Sequence, residues 1–381
     1  MNRRDFLSCA GTGALVSNLV GRPAAAAAAP AAAAPAPGGR WARAIVNRFH
    51  VRQIWADGRH NAFPGIARFG DHIYVTLRNS KDHQTQDGSA RIQVIRSVAD
   101  DLEKWEKIAE FGTDRDARDP LIFDNRGRLQ VVYHDREDFY VQSADGRTWS
   151  TPKMLEAEIV PPPPGLTLSS QRRWLFRIRR GPDGAFYSLA RCGIKVTGTP
   201  GRFGLILYRS EDGVVFKALH TYGEGPITGL PPGRGTGHEA DVAWAGDGTF
   251  LAAIRNSRND GVVVAGPPPL GPFRPILTGS VTFGGPALHT TKKGGVLVAG
   301  RHRDPETQLS CCRVQTVMPD KAEHPIILPS GGDCAYQSFV DGPGDTVYLV
   351  YYSSHEYPQA KGAGRTPANL YLAHLTIRHD P

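Results

Sequence analysis

Gly127-Arg128-Leu129-Gln130-Val131-Val132 joins a glycine turn to an aliphatic run, and the same pairing returns along the chain. It stands at Gly70-Asp71-His72-Ile73-Tyr74-Val75, Gly184-Ala185-Phe186-Tyr187-Ser188-Leu189 and Gly248-Thr249-Phe250-Leu251-Ala252-Ala253. Gly295-Val296-Leu297-Val298 and Gly344-Asp345-Thr346-Val347-Tyr348-Leu349 complete the series. Glycine supplies the positive φ of a tight turn, and the β-branched, aromatic and aliphatic residues after it fit a buried strand. Successive glycines are 57, 57, 64, 47 and 49 residues apart. A unit of roughly 50 residues holds about four short strands, the size of one propeller blade. Six units over residues 45–381 predict an all-β, six-bladed β-propeller in a single domain.

Composition agrees. The 381 residues include 43 Gly, 30 Pro and 40% hydrophobic residues, which favours a turn-rich, strand-rich chain and excludes disorder, collagen and coiled coil. Net charge is +8, and +5 remains once residues 1–40 are set aside. So small a surplus, without a Lys/Arg block, argues against a nucleic-acid partner and leaves an anionic small ligand open. No uninterrupted apolar run reaches the roughly 18 residues of a membrane span. Of the five cysteines, Cys9 lies in the N-terminal stretch and Cys311 and Cys312 are adjacent; no C-x-x-C occurs, so neither zinc nor a disulfide framework is indicated, though one disulfide is allowed. His60, His83 and His238 lie near the motifs below but lack metal-ligand spacing.

The N-terminus reads as an address. Asn2-Arg3-Arg4-Asp5-Phe6-Leu7 resembles the twin-arginine export signal and precedes a mildly apolar stretch and an Ala/Pro tract. The expectation is a signal peptide over 1–26, an Ala/Pro-rich linker over 27–44, and export in a folded state to the periplasm or beyond.

Ser143-Ala144-Asp145-Gly146-Arg147-Thr148-Trp149 carries the Ser, Asp, Gly, Thr and Trp of the Asp-box pattern. Ser210 to Phe216 is a fair match, and Ser97 to Trp105 a stretched one. In such a box the Asp caps its own tight turn while the Ser and the aromatic ring pin the hairpin to its blade. With six blades and the motifs that follow, these boxes make the chain after residue 44 resemble the sialidase (neuraminidase) superfamily.

The strand ends support an anion site independently of any family. Seven residues past the repeat glycine stand His134, Arg191, Arg255 and, counted from Gly294, Arg301, with Arg78 one step later in the first blade. Equivalent strand ends of a propeller point to one face near the axis, and several guanidinium forks there suit a carboxylate.

The resemblance assigns roles. Glu239, in Gly237-His238-Glu239-Ala240-Asp241, would polarise the nucleophile, and Arg255 and Arg301 would hold the substrate carboxylate. Tyr336, in Gly331-Gly332-Asp333-Cys334-Ala335-Tyr336, would be the nucleophile. A neutral phenol has a reason to be there: the sugar bears its own carboxylate at the anomeric carbon and would repel an Asp or Glu. The general acid would be an Asp on the loop Arg78 to Gly88; Asp87 is the choice and Asp82 the reserve. No cofactor is required, the substrate would be a terminal sialic acid or related ulosonic acid on a glycan, and the protein would act as a monomer. Trp174 is a candidate to stack on a sugar face, and Asp119-Pro120 to line the pocket.

One departure bears on substrate. The family opens its first blade with Arg-Ile-Pro, whose Arg is an arm of the carboxylate clamp, whereas this chain has Asn61-Ala62-Phe63-Pro64. Arg59, Arg78 or Arg191 would have to reach in, and a missing arm costs on the order of 1.5 to 3 kcal/mol of binding. A non-catalytic, lectin-like glycan-binding propeller is the second reading.

Overall fold

Three antiparallel neighbours follow each inner strand, and the computed structural model repeats this arrangement six times around a ring. The structure describes residues 41–380 except 86, 99–100, 113–114, 161–165, 197–201, 221–236, 257–260, 267–272, 279–283, 305 and 358–366. The expected signal peptide, and the linker as far as residue 40, lie outside the described residues.

The inner strands are His60–Phe69, Arg118–Asp124, Leu166–Leu175, Gly237–Trp244, Gly284–Thr290 and Cys334–Asp341, in blades one to six. The second strands, His72–Ser80, Leu129–Asp135, Phe186–Val196, Phe250–Asn256, Val296–Arg303 and Thr346–Ser353, contain or directly follow the repeat glycine turns. The inner strands of blades one and two, four and five, five and six, and six and one pack on one another, and blade three meets blade four through its second strand. Blade three also carries the short strands Glu156–Ala157 and Arg179–Arg180.

Blade six is completed from the other end of the chain. Its outermost strand is Arg43–Trp55, which pairs with the last strand, Asn369–Asp380, so that Arg43 faces Asp380. Trp41 and Ala44 are already buried, and the Trp41 indole donates to Asp247 Oδ2 at 2.9 Å. The propeller therefore begins inside the segment that the sequence reading leaves to the linker. Apolar side chains fill six clusters, one in each seam between adjacent blades, including the seam between blades six and one, where Ile66, Val75 and Leu77 meet Val350, Tyr352 and Leu372. An open arc of six blades would have five such seams; six means a closed ring.

The turns lock neighbouring blades. Asp145 Oδ1 accepts from the Ser143 hydroxyl and from the amides of Arg147 and Thr148 at 2.7–2.9 Å. Asp212 repeats this with Ser210, Val214 and Val215. The second turn docks on blade two, where Asn125 donates to the Asp212 carbonyl and Gln130 to that of Gly213. Residues 99–100 of the stretched third match lie outside the described residues.

What places the site is a bulge shared by the inner strands. Register with the second strand breaks between Ala62 and Gly65, Arg118 and Leu121, Gly237 and Ala240, Gly284 and Ala287, and Ala335 and Ser338. In each, two residues oppose one, which bends the strand and re-aims a side chain. The first bulged residue is left-handed in four blades: Phe63 (φ 55°), Asp119 (49°), Gly285 (60°) and Tyr336 (54°). Three of these carry a Cβ, a strained arrangement that persists only where surrounding structure imposes it and that concentrates at functional sites.

Candidate active site

The bulges bring Tyr336, of blade six, onto Glu239, of blade four. The phenol donates to Glu239 Oε1 at 2.9 Å, and the Arg255 guanidinium donates to the same oxygen at 2.7 Å. Oε2 accepts the Gly285 amide at 2.7 Å. Burial pushes the Glu239 carboxyl up, but the Arg255 charge and these hydrogen bonds outweigh it and hold the group below its usual range. Burial, and then the Glu239 and Asp119 charges, push the Tyr336 phenol well above its usual range. The pair therefore rests as carboxylate and neutral phenol, with the acceptor for the phenolic proton already in place.

Blade five yields room for it. A Cβ on Gly285 would sit 2.8 Å from Tyr336 Cγ, and one on Gly284 would sit 2.8 Å from Arg301 Nε. Arg301 lies within electrostatic reach of Tyr336, Tyr352 and Asp333, which raise its pKa against the effect of burial. Arg191 feels the charges of Glu239, Tyr336 and Asp119 and lies over the Trp174 ring at 5.2 Å. Arg255, Arg301 and Arg191 thus all lie within electrostatic reach of the phenol.

Arg78 does not join them. Its five N–H donors go to Asp116 (Nε 3.0 Å, Nη2 2.7 Å), the Ser80 hydroxyl, and the Asp82 and Thr85 carbonyls, and the side chain is wholly buried. Its work is to suspend residues 80–85, with no donor left for a substrate carboxylate. Trp174 is likewise occupied: His134 stacks on it at 4.1 Å and Phe176 at 5.4 Å, so protein rings stand where a sugar was expected.

The acid candidates are exposed or self-bonded. Asp87 is exposed and accepts the Ser89 amide at 2.9 Å, which lowers its pKa together with the Ser89 hydroxyl. Desolvation pushes the Asp82 carboxyl up, but it accepts from the Thr85 hydroxyl and the Gln84 amide, and these bonds together lower its pKa.

Arg118 was not reached by the sequence reading, and Asp119 only as a residue to line the pocket. Arg118 immediately precedes the blade-two bulge, where Ala62 stands in blade one, and it is paired with Asp116 and within reach of the Tyr336 charge. The fork absent at Ala62 is therefore present one blade further on. Beside it, Asp119 is buried, its Oδ1 lacks a hydrogen-bond partner, and desolvation lifts its pKa to about 6, with Arg118 opposing and Glu239 reinforcing the rise. A buried, underused carboxyl beside the Tyr–Glu pair is a ready contact for a substrate hydroxyl or amide.

One group among the described residues has the makings of a cation site: His60 Nε2, His83 Nδ1 and an Asp333 oxygen lie within 4.8 Å of one another. Both imidazole nitrogens aim at the same oxygen, Oδ2, at 2.9 and 2.6 Å, and Tyr352 donates to Oδ1 at 2.9 Å. His60 Nδ1 is buried without a partner, whereas an imidazole on a metal ordinarily donates its second N–H to an orienting acceptor. The geometry is that of a carboxylate satisfied by three donors, held well below the usual carboxylate range by its histidine bonds despite burial.

No protein-family model and no curated protein matches the chain. Solved structures do. A protein of unknown function from Dyadobacter fermentans superposes with a TM-score of 0.68 at 16% identity, covering 86% of this chain and 99% of its own. A Hadza microbial sialidase superposes with a TM-score of 0.56 at 14% identity over 82% of this chain and 65% of its own. Trypanosoma rangeli sialidase in complex with sialic acid gives 0.59 at 11% identity over 87% of this chain and 59% of its own. The chain spans less than two thirds of either sialidase. Likeness at this identity defines the fold: a six-bladed, sialidase-like propeller. Among the described residues no helix is long and apolar enough to cross a membrane.

Proposed function

We propose that the protein is an exported, retaining exo-glycosidase that removes a terminal sialic acid or related ulosonic acid. One observation carries the reading: a buried phenol hydrogen-bonded at 2.9 Å to a carboxylate that Arg255 also holds. In this mechanism Tyr336 Oη attacks the anomeric carbon as its proton passes to Glu239, and the leaving oxygen takes a proton from the loop after Arg78. Water then attacks the anomeric carbon, giving a proton back to that loop, as the bond to Tyr336 Oη breaks and the phenol recovers its proton from Glu239. Arg255 and Arg301, with Arg191 and Arg118 at the margin, hold the sugar carboxylate.

Tyr336→Phe should lower kcat/KM on an aryl sialoside by roughly 10³-fold or more while leaving thermal unfolding unchanged. Undiminished hydrolysis by this variant would refute the assignment. The lectin-like reading draws on Ala62; calorimetric binding of an acidic glycan, with no aglycone released from aryl glycosides of sialic acid, Kdn or Kdo, would establish it instead.

A further inference from the structure

His83 belongs to the loop that Arg78 suspends beside the site. Its Nδ1 lies 2.6 Å from Asp333 Oδ2, and its side chain is 23% exposed whereas Asp333 is 4% exposed. One edge of the ring packs on Phe63, at 5.2 Å between centroids, and the same Phe63 packs on Tyr336 at 4.7 Å. His83 and Tyr336 are thus neighbours across one phenyl ring. With Nδ1 committed to the carboxylate, Nε2 is the nitrogen available to a ligand. Asp87 and Asp82, by contrast, have their carboxylates bonded to local amides or hydroxyls.

Resting on the glycosidase reading above, we infer that His83 is the general acid and base of this site, and that Asp333 is its positioning residue. In the first step the imidazolium Nε2–H protonates the glycosidic oxygen as the bond to the anomeric carbon breaks and Tyr336 Oη bonds to that carbon. In the second, neutral Nε2 takes a proton from the attacking water as the bond to Tyr336 breaks. An imidazole can both give and take a proton at one nitrogen, and the Asp333 carboxylate, bonded to Nδ1, fixes the ring that carries it. The charged and titratable groups around the pair include His60, Asp82, Tyr352, Arg78 and Arg301. Two hundred and fifty residues separate His83 from Asp333, so spacing along the chain does not connect them.

The test compares leaving groups. In His83→Ala, kcat/KM should fall roughly 10²- to 10³-fold on an alkyl or sugar-linked acidic glycoside, yet less than about tenfold on a dinitrophenyl glycoside, whose phenolate leaves unprotonated. Asp333→Asn should show the same leaving-group-dependent loss in kcat, with KM on the dinitrophenyl glycoside unchanged. An equal loss on both substrate classes, or a leaving-group-dependent loss in Asp87→Ala with none in His83→Ala, would overturn the inference. So would activity abolished by a chelator and restored by zinc, which would make the trio a cation site. Wild-type turnover that Tyr336→Phe abolishes, together with an unaffected His83→Ala, would sink this role alone; no wild-type turnover of any acidic glycoside would sink the parent reading as well.

Discussion

Between about pH 4 and 6 Asp119 holds a proton that the unfolded chain would give up. Burial raises its folded pKa to about 6 from an ordinary value near 4, so its contribution to stability falls as pH rises through that interval and is level above it. The effect is on the order of 2 to 3 kcal/mol. Asp119→Asn carries no such charge, and its urea-unfolding free energy should gain on wild type by about that amount between pH 4 and 7; parallel curves would contradict the burial argument. Arg78 is the opposite case, a buried cation with every donor used. Arg78→Met should lower stability by about 1 to 3 kcal/mol in urea unfolding, because the Thr85 carbonyl loses its donor while Asp116 keeps Arg118 but loses Arg78. The sequence made these two residues look alike in promise; it is where their donors and acceptors end, a tertiary matter, that separates a loop support from a site group.

The bulged inner strand is the element that makes the site. Its signature was partly legible: Phe63-Pro64, Asp119-Pro120 and Gly285-Pro286 put proline at the same place in three blades, and proline inside a sheet is tolerated at bulges. A reading that aligned blades on their glycine turns looked past the second strand and found Arg255 and Arg301, but not Arg118, which lies ahead of its turn. The two glycines of blade five give the test at this scale. Gly285→Ala must place a methyl against the Tyr336 ring at a positive φ, and kcat should fall more than tenfold. Gly284→Ala displaces the Arg301 guanidinium and should appear mainly in KM. Equal kinetics for both variants would argue against a bulge that sorts nucleophile from clamp.

Six filled seams and one shared strand hold the ring. Its repeat was legible because glycine turns and buried strands are local signals; the closure was not, since nothing in Arg43–Trp55 announces a partner some 300 residues away. Deleting residues 41–55 removes Trp41, Ala44, Val46 and Ile54 from three seams and uncovers the edge of the last strand. Such a variant should lose its single cooperative thermal transition, and an unchanged midpoint would show that closure is dispensable. The pairing of Arg43 with Asp380 also sets a timetable. The strand Asn369–Asp380 leaves the ribosome after the other five blades, so the opening strand must wait unpaired until they have been made, and closing the ring is a slow, long-range encounter.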